Sequence, residues 1–374
     1  MKQTSQTAFF SLPDRRLVWI AAGLVTWGLR QILAANPYFT EVVFSRGVFL
    51  LFRLAFDYTL GWLPFPWLYI AVPVLVWAII RGLRRMIRHI QPLTPGHRAG
   101  YVLIGMVSAG AAAYTLFMWL WGFNYHRRPI ADQLGLQADT LSQAAFEAAF
   151  SRATREALAA RDAAVATRPT WDLHYPWHEL EHQVRHTLTS ALRTTGYPVA
   201  GRVRGLPVWP RGLLMGLGAT GIYIPYVGEG HLDAALHPLT TPYTLAHEMA
   251  HGYGFGDEGT CNFWAYLACI QAEDPMIRYS GYLMYWRIMA ASYRAQQPDA
   301  YQAIRDTLPQ GFIADMQAIN EVYRQYPGFF PKTSEAIYNQ YLRQQGIREG
   351  IANYNKVILL AEAWRAQASG QPGE

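Results

Sequence analysis

Charged side chains are scarce in this chain of 374 residues. Only 16% of its residues are Asp, Glu, Lys or Arg, whereas a soluble domain has about 25%. Apolar residues make up 51%, and Trp and Tyr are abundant, at 13 and 23. This composition is unlike that of an ordinary soluble domain. It favours a chain that lies partly in lipid, with aromatic side chains at the membrane interfaces.

Cysteine is almost absent, with only Cys261 and Cys269 in the chain. They lie eight residues apart in one predicted helix, which separates their Cα atoms by about 12 Å. A disulfide requires less than about 7 Å, so we predict two free, buried thiols. The sequence also lacks internal repeats and low-complexity linkers, which excludes a repeat array.

Acidic residues are rare in the first third of the chain. Residues 1–121 contain 11 of the 32 Lys and Arg residues but only 3 of the 26 acids, which leaves 21 bases and 23 acids in residues 122–374. The net charge of +6 therefore belongs to the first part. The second part lacks a basic stripe, so we expect no nucleic-acid partner.

Long uncharged runs occur only in residues 1–121, which we predict to be a membrane anchor. Leu60–Ile80 and Tyr101–Trp121 each have 21 uncharged residues, enough to cross about 30 Å of hydrocarbon. Leu17–Ala35 is a third run, interrupted by Arg30, whose long side chain could extend to an interface. We predict transmembrane helices over 17–35, 60–80 and 101–121. A cleaved signal peptide is the alternative for the first run, and a buried core helix is the alternative for each.

Basic loops predict the orientation of these helices. Residues 81–99 contain five arginines and no acid, which places them in the cytoplasm. The loop 36–59 has balanced charges and can lie outside. Three spans then put the N-terminus in the cytoplasm and residues 122–374 on the extracytoplasmic side.

The predicted extracytoplasmic region, residues 122–374, combines many helices with a few short strands. Amphipathic helices are predicted over 139–166 and 176–194, and strands within "RVRGLPVWP" and "GIYIPYVGEGHL". Further helices are predicted at about 242–254, 258–273, 276–297, 311–325, 333–345 and 348–367. This order predicts an α+β domain that is mostly helical and has a small sheet.

His-Glu-x-x-His occurs twice, first in "WHELEH" at 177–182. The apolar stripe of that helix is Trp177, Leu180, Val184, Leu188 and Leu192. His178 and His182 lie at the flanks of the stripe, and Glu181 is predicted to point away from it. All these polar groups could be solvated, so we predict a surface helix without a metal. The motif indicates a metal site only in a suitable context.

The second copy is the "AHEMAH" of 246–251. Apart from tyrosines, His247, Glu248 and His251 are the only ionisable side chains in this helix, so most of its faces should be buried. Burial of an unpaired carboxylate and two imidazoles costs several kcal/mol. A divalent cation would pair with them, and the motif places both imidazoles on one helix face, one turn apart.

A third ligand is predicted at Glu258, the first residue of the following helix. His247, His251 and Glu258 would leave one coordination position for water, as catalytic zinc sites do. Asn262, four residues later, would orient a ligand imidazole. Zn²⁺ is inferred from ligand type, since imidazole also suits other metals. These residues by themselves indicate metal-assisted hydrolysis of a polarised carbonyl, with Glu248 as the general base.

The two helices resemble the gluzincin zinc metallopeptidases, the thermolysin-like class. Their pattern is HExxH followed by Glu-x-x-x-Asp on the next helix, and Asn262 takes the place of the usual Asp. More closely, the chain resembles an uncharacterised bacterial family of membrane-anchored gluzincin-like proteins. This likeness covers most of the chain and is carried by "WGFNY", "GIYIPYVGE", "HEMAHGYGF", "NFWAYLAC", "RYSGY" and "GIANYNKV".

The resemblance implies a zincin-like metallopeptidase domain over 122–374 that hydrolyses peptide bonds with bound Zn²⁺. It would be held in the bacterial cytoplasmic (inner) membrane by several spans, with the catalytic domain outside. The expected partners are a peptide or protein substrate and the lipid bilayer. "GIYIPYVGEG" could be an edge strand, and edge strands bind extended peptides through the main chain.

Two alternatives remain at this stage. One is an inactive or metal-stabilised membrane scaffold or binding protein. The other is a zinc hydrolase that acts on cell-wall peptide or lipid. An oxyanion donor is also needed, and Tyr279, Tyr354 and His231 are the candidates. The sequence carries no signal for the oligomeric state.

Overall fold

The computed structural model describes residues 15–138, 140–167 and 176–370. Within them the chain is mostly helical and contains one three-stranded sheet, which confirms the predicted α+β composition.

The first third of the chain is almost entirely helical. Its helices are α1 (Arg15–Ala35), α2 (Pro37–Phe39), a π-helix (Thr40–Val48), α3 (Phe49–Thr59), α4 (Leu68–Ile90) and α5 (Pro95–Leu120). Among the described residues, α1 and α5 are long and apolar enough to cross a membrane. They pack together closely, since a Cβ atom on Gly23 would lie 2.9 Å from that of Ala111. Trp119 also donates a hydrogen bond to the Thr26 hydroxyl at 3.3 Å.

Two parts of this region differ from the sequence-based expectation. The run 60–80 is helical only from Leu68, and four arginines follow in the second half of α4. Ahead of α4, the carbonyls of Leu60 and Leu63 accept hydrogen bonds from Arg204. The predicted loop 36–59 is helical over nearly its whole length.

The rest of the chain closely follows the predicted elements. It contains a 3-10 helix (Gly122–His126), α6 (Ile130–Leu134), α7 (Gln143–Thr167), α8 (Trp177–Thr194), β1 (Gly205–Val208), α9 (Leu213–Gly216), β2 (Gly221–Ile224), β3 (Glu229–Asp233), α10 (Thr241–Gly252), α11 (Glu258–Ile270), α12 (Pro275–Gln296), α13 (Pro298–Asp306), α14 (Gln310–Gln325), α15 (Pro331–Gln344), a second 3-10 helix (Gly350–Asn355) and α16 (Lys356–Ala368). The sequence did not predict α6, α9 or α13. The predicted start of α7, Asp139, lies outside the described residues.

The sheet has the order β1-β3-β2, with β1 parallel and β2 antiparallel to β3. One face packs directly on α10, and glycine permits this close approach. A Cβ atom on Gly230 would lie 2.9 Å from that of Glu248, and one on Gly205 would lie 2.2 Å from a methyl group of Leu245. The strand β2 lies at the edge of the sheet, as predicted for "GIYIPYVGEG".

Helices α10 and α11 form the centre of the core. Every residue of α10 is buried, and so is α11 from Glu258 to Cys269. This confirms the prediction that the second motif lies on a buried helix. Asp257 begins α11 by accepting a hydrogen bond from the Thr260 backbone at 2.7 Å. The cap fixes where α11 begins, and therefore where Glu258 lies.

Buried charges join the segment 37–59 to the core around α10. The Glu41 carboxylate accepts hydrogen bonds from Arg127 at 2.7 and 2.8 Å, and Arg127 also donates to the Gly254 carbonyl at 2.8 Å. Arg53 donates to the Gly228 carbonyl at 2.7 Å. The segment thus packs against both the end of α10 and the β2–β3 turn.

Candidate metal centre

His247, His251 and Glu258 meet at one buried point between α10 and α11, and they form a group that could hold a metal ion. The Nε2 atoms of the two histidines lie 3.1 Å apart. Glu258 Oε2 lies 3.1 Å from His247 Nε2 and 3.4 Å from His251 Nε2. These separations fit a tetrahedral zinc ion, whose ligand atoms lie about 3.3 Å apart when its bonds are about 2.0–2.1 Å long.

The outer nitrogen of each imidazole fixes which ring atom carries the proton. His247 Nδ1 lies 2.8 Å from Asn262 Oδ1, and the Asn262 amide is oriented because its Nδ2 donates to the Tyr354 carbonyl at 3.2 Å. His251 Nδ1 lies 2.8 Å from the Phe255 carbonyl. Both acceptors fit an N–H at Nδ1, which leaves the two Nε2 atoms as the ring atoms that a cation would bind. Two imidazole nitrogens and a carboxylate oxygen that converge in this way form a group that could hold a cation.

Glu258 is held in place by tyrosines from distant parts of the chain. The Tyr338 hydroxyl, on α15, donates to Glu258 Oε1. The Tyr354 ring stacks on the His247 ring, with centroids 6.1 Å apart and planes 5° apart. Burial by itself would raise the pKa of Glu258, but the two neighbouring imidazoles lower that pKa well below its ordinary value. Glu258 is therefore ionised, as a metal ligand must be.

Glu248 lies beside this cluster, between α10 and β2. A Cβ atom on Gly221 would lie 2.4 Å from Glu248 Oε1, so the carboxylate lies directly against the backbone of the edge strand. Glu248 Oε2 has no hydrogen-bond partner within the part of the chain that the structure describes. Burial raises the pKa of Glu248, and the two histidines only partly offset this effect.

Of the three candidate oxyanion donors, only Tyr354 lies at the cluster. Tyr279 is remote, since its hydroxyl donates to Asp315 at 2.8 Å in the core of α12 and α14. His231 is on β3, one residue after Gly230, and neighbouring residues of a strand face opposite sides. Gly230 faces Glu248, so His231 faces away from it. The structure therefore places Tyr279 and His231 away from the cluster.

The first motif lies on a surface helix, as predicted. His178 and His182 are exposed on α8, and they belong to no metal-binding group among the described residues. The prediction for Glu181 was wrong, because this side chain is buried. It forms an ion pair with Arg185 at 3.1 Å and accepts a hydrogen bond from the Gly205 backbone at 3.3 Å. Arg185 compensates for the burial of its charge.

Three contacts at the cluster were not foreseen from the sequence. Tyr338 is 80 residues from Glu258, and nothing distinguishes it among 23 tyrosines. Trp121 donates from its indole to the His251 carbonyl at 2.7 Å. Cys261 is a free, buried thiol, as predicted, but its Sγ also lies 3.3 Å from His251 Nδ1.

The family model described as "Protein of unknown function (DUF3810)" matches residues 44–361. The chain belongs to this family. The match begins in the π-helix and ends in α16, so the family unit includes the segment around Arg53 as well as the His-His-Glu cluster. No curated protein and no solved structure matches the chain.

Proposed function

We propose that this protein is a membrane-anchored, zinc-dependent metallopeptidase of the gluzincin type, with its catalytic domain on the extracytoplasmic side. One observation carries the proposal: the possible ligand atoms of His247, His251 and Glu258 converge at zinc-like spacing beside the buried carboxylate of Glu248. His247, His251 and Glu258 would hold the ion. A bound zinc ion supplies Lewis acidity, which polarises a carbonyl and lowers the pKa of a bound water to about 7.

The two carboxylates have environments suited to different roles. The pKa of Glu258 is lowered by two imidazoles, which favours a permanent anion. The pKa of Glu248 is raised by burial, which moves it towards the range in which a general base works best. Glu248 Oε2 would accept a proton from the attacking water and pass it to the leaving nitrogen.

The edge strand β2 favours a peptide as the substrate. The Thr220 carbonyl accepts a hydrogen bond from the Asp233 backbone at 2.9 Å, so alternate residues direct their backbone groups towards β3. Gly221 and Tyr223 then direct their backbone N–H and C=O groups to the free edge of the sheet. An extended peptide that pairs with this edge would pass beside Glu248, because Gly221 lies against its carboxylate.

Metal content is the first test of the proposal. The full chain should be purified in detergent, since residues 37–59 pack on the core, and its zinc stoichiometry measured beside Glu258→Gln and His178→Ala. We expect one zinc per chain in the wild type and in His178→Ala, and weakened or lost binding in Glu258→Gln. The proposal fails if no variant takes up zinc, or if only His178→Ala loses it.

Hydrolysis is the second test. We expect the zinc-loaded chain to cleave members of a mixed peptide library, and Glu248→Gln to retain its zinc while losing at least 100-fold in rate. An equal rate in Glu248→Gln would remove the assigned base. Zinc binding without any cleavage by the wild type would favour a metal-stabilised scaffold instead.

A further inference from the structure

We infer that the substrates are polypeptide segments at the outer surface of the bilayer, cut within a few residues of the point where the substrate leaves the membrane. The inference rests on the proposed peptidase function and on α1 and α5 as membrane spans. It is carried by the contacts that place the His-His-Glu cluster at the ends of these helices.

The cluster lies directly against the end of α5. Trp121 is the first residue after that helix, and its indole donates to the carbonyl of His251. The rings of Trp121 and His251 have centroids 6.0 Å apart. The residue that ends α5 therefore contacts the backbone of a proposed metal ligand directly, and the cluster does not stand on a stalk above the membrane.

The β2–β3 turn and the end of α15 contact α5 and α1 at residues that lie several positions before the ends of these two helices. Tyr226, in the β2–β3 turn, donates to the carbonyl of Ala113 at 3.1 Å. Ala113 precedes the end of α5 by seven residues, about 10 Å along the helix. Arg30 of α1 donates to the carbonyl of Gln344, the last residue of α15. The turn after the edge strand and the end of the helix that carries Tyr338 thus lie at the level of the bilayer surface.

An exposed apolar surface continues from the edge strand. We call it the apolar rim, and it consists of Leu217, Ile222, Tyr226, Phe329, Phe330 and Ile337. All six side chains are at least 41% exposed. The Phe329 backbone donates to the Gly216 carbonyl at 2.7 Å, which joins the loop before α15 to the chain leading into β2. Ile337 adjoins Tyr338, the partner of Glu258.

The apolar rim suits the apolar residues that a transmembrane segment brings to the surface. A peptide paired with β2 would pass over Glu248 and place alternate side chains on the rim. An extended chain rises about 3.3 Å per residue, so a segment that leaves the membrane beside α5 covers about 10 Å within roughly three residues. A substrate segment far above the membrane would not bring apolar transmembrane residues to the apolar rim.

The test reconstitutes the zinc-loaded full chain in lipid vesicles with reporter proteins. Each reporter has one transmembrane helix and the same ten-residue cassette, chosen from peptides that the enzyme cuts, placed 0, 10 or 30 residues outside the helix. A soluble peptide carries the cassette alone. Membrane attachment is equal in the three anchored reporters, so only the distance differs. Cleavage positions are read by mass spectrometry, with Glu248→Gln as the blank.

We expect the nearest cassette to be cut at least tenfold faster than the cassette at 30 residues, and Phe330→Ser to reduce this preference. Equal cutting at all three distances would overturn the inference and leave the peptidase function intact. Failure to cut any peptide of the library from which the cassette is chosen would instead refute the proposed function. Release of fatty acid from the vesicles by the wild type, but not by Glu248→Gln, would replace the polypeptide with a lipid substrate.

Discussion

At the scale of single residues, Asn262 holds the His247 imidazole through its side-chain amide. Its amide nitrogen donates to the backbone carbonyl of Tyr354, which leaves the amide oxygen to accept a hydrogen bond from His247 Nδ1. An aspartate would have no donor for that carbonyl. The Asn is therefore compatible with metal ligation by His247, because a neutral acceptor suffices to fix the imidazole tautomer.

Tyr338 provides a prediction about the third ligand. Tyr338→Phe removes the hydroxyl that donates to Glu258 and should weaken zinc affinity about 10- to 100-fold, as loss of an outer partner usually does. Competition with a chelator measures the affinity. Tyr279→Phe is the matched control, because its hydroxyl bonds to Asp315 away from the cluster. Equal losses in both variants would indicate a general effect on packing.

His231 provides a prediction about pH. Burial lowers its pKa to about 4, and neither ring nitrogen has a hydrogen-bond partner among the described residues. The unfolded chain, with a His pKa of about 6.5, then binds more protons below pH 6.5, so stability falls as the pH falls from 6.5 towards 4. The loss due to His231 between pH 7 and pH 5 should be about 2 kcal/mol.

Denaturant unfolding of the detergent-solubilised chain at the two pH values measures this effect. His231→Leu replaces the titratable ring with an apolar side chain of similar size. The stability of this variant should therefore fall by about 2 kcal/mol less than that of the wild type between pH 7 and pH 5. An unchanged pH dependence in His231→Leu would contradict the assignment.

At the scale of elements, the sheet and α10 are joined through residues without side chains. Gly221 and Gly230 lie against Glu248, and either Cβ atom would collide with it. The positions of the edge strand and the carboxylate are thus coupled: the backbone that would bind a peptide also sets where the base lies.

Gly221→Ala should separate catalysis from metal binding. The added methyl group would lie 2.4 Å from Glu248 Oε1 and must displace the carboxylate. A displacement of about 1 Å can cost 100-fold in rate, while the ligands on α10 and α11 keep their places. We expect retained zinc and at least a tenfold lower rate of peptide cleavage. Gly100→Ala, which meets no atom within 4 Å, is the control.

At the scale of the whole molecule, the division at residue 121 does not separate two independently packed parts. Glu41 and Arg53 lie before it, yet they bind Arg127 and Gly228 after it. The ion pairs are buried, with side-chain exposures of 5% for Glu41 and 7% for Arg127. The family match from residue 44 agrees with a unit that includes this segment.

Glu41→Gln tests this connection. Removing one partner of a buried ion pair leaves Arg127 without its counter-charge, which costs about 3–5 kcal/mol. Unfolding of the full chain in detergent should show a loss of that order. Glu321→Gln is the control, because its pair with Arg324 is exposed and should contribute less than about 1 kcal/mol. A similar small loss in both variants would contradict a structural role for Glu41.

The sequence by itself determined the features that depend on local geometry. The spacing of His247 and His251 on one helix face follows from 3.6 residues per turn, and the start of α11 at Glu258 follows from the cap at Asp257. The burial of α10 follows from its composition, and the end of α5 near residue 121 follows from the end of its uncharged run. Each needs only residues within a few turns of one another.

Only the tertiary structure decided which distant groups meet these residues. Tyr338 reaches Glu258 across 80 positions, Glu181 is buried because Arg185 and Gly205 surround it, and His231 faces away from Glu248 because of its register on β3. The helices in 37–59 likewise pack on residues more than 80 positions later. A pattern of residues does not specify such pairings, because they depend on how the elements pack in three dimensions.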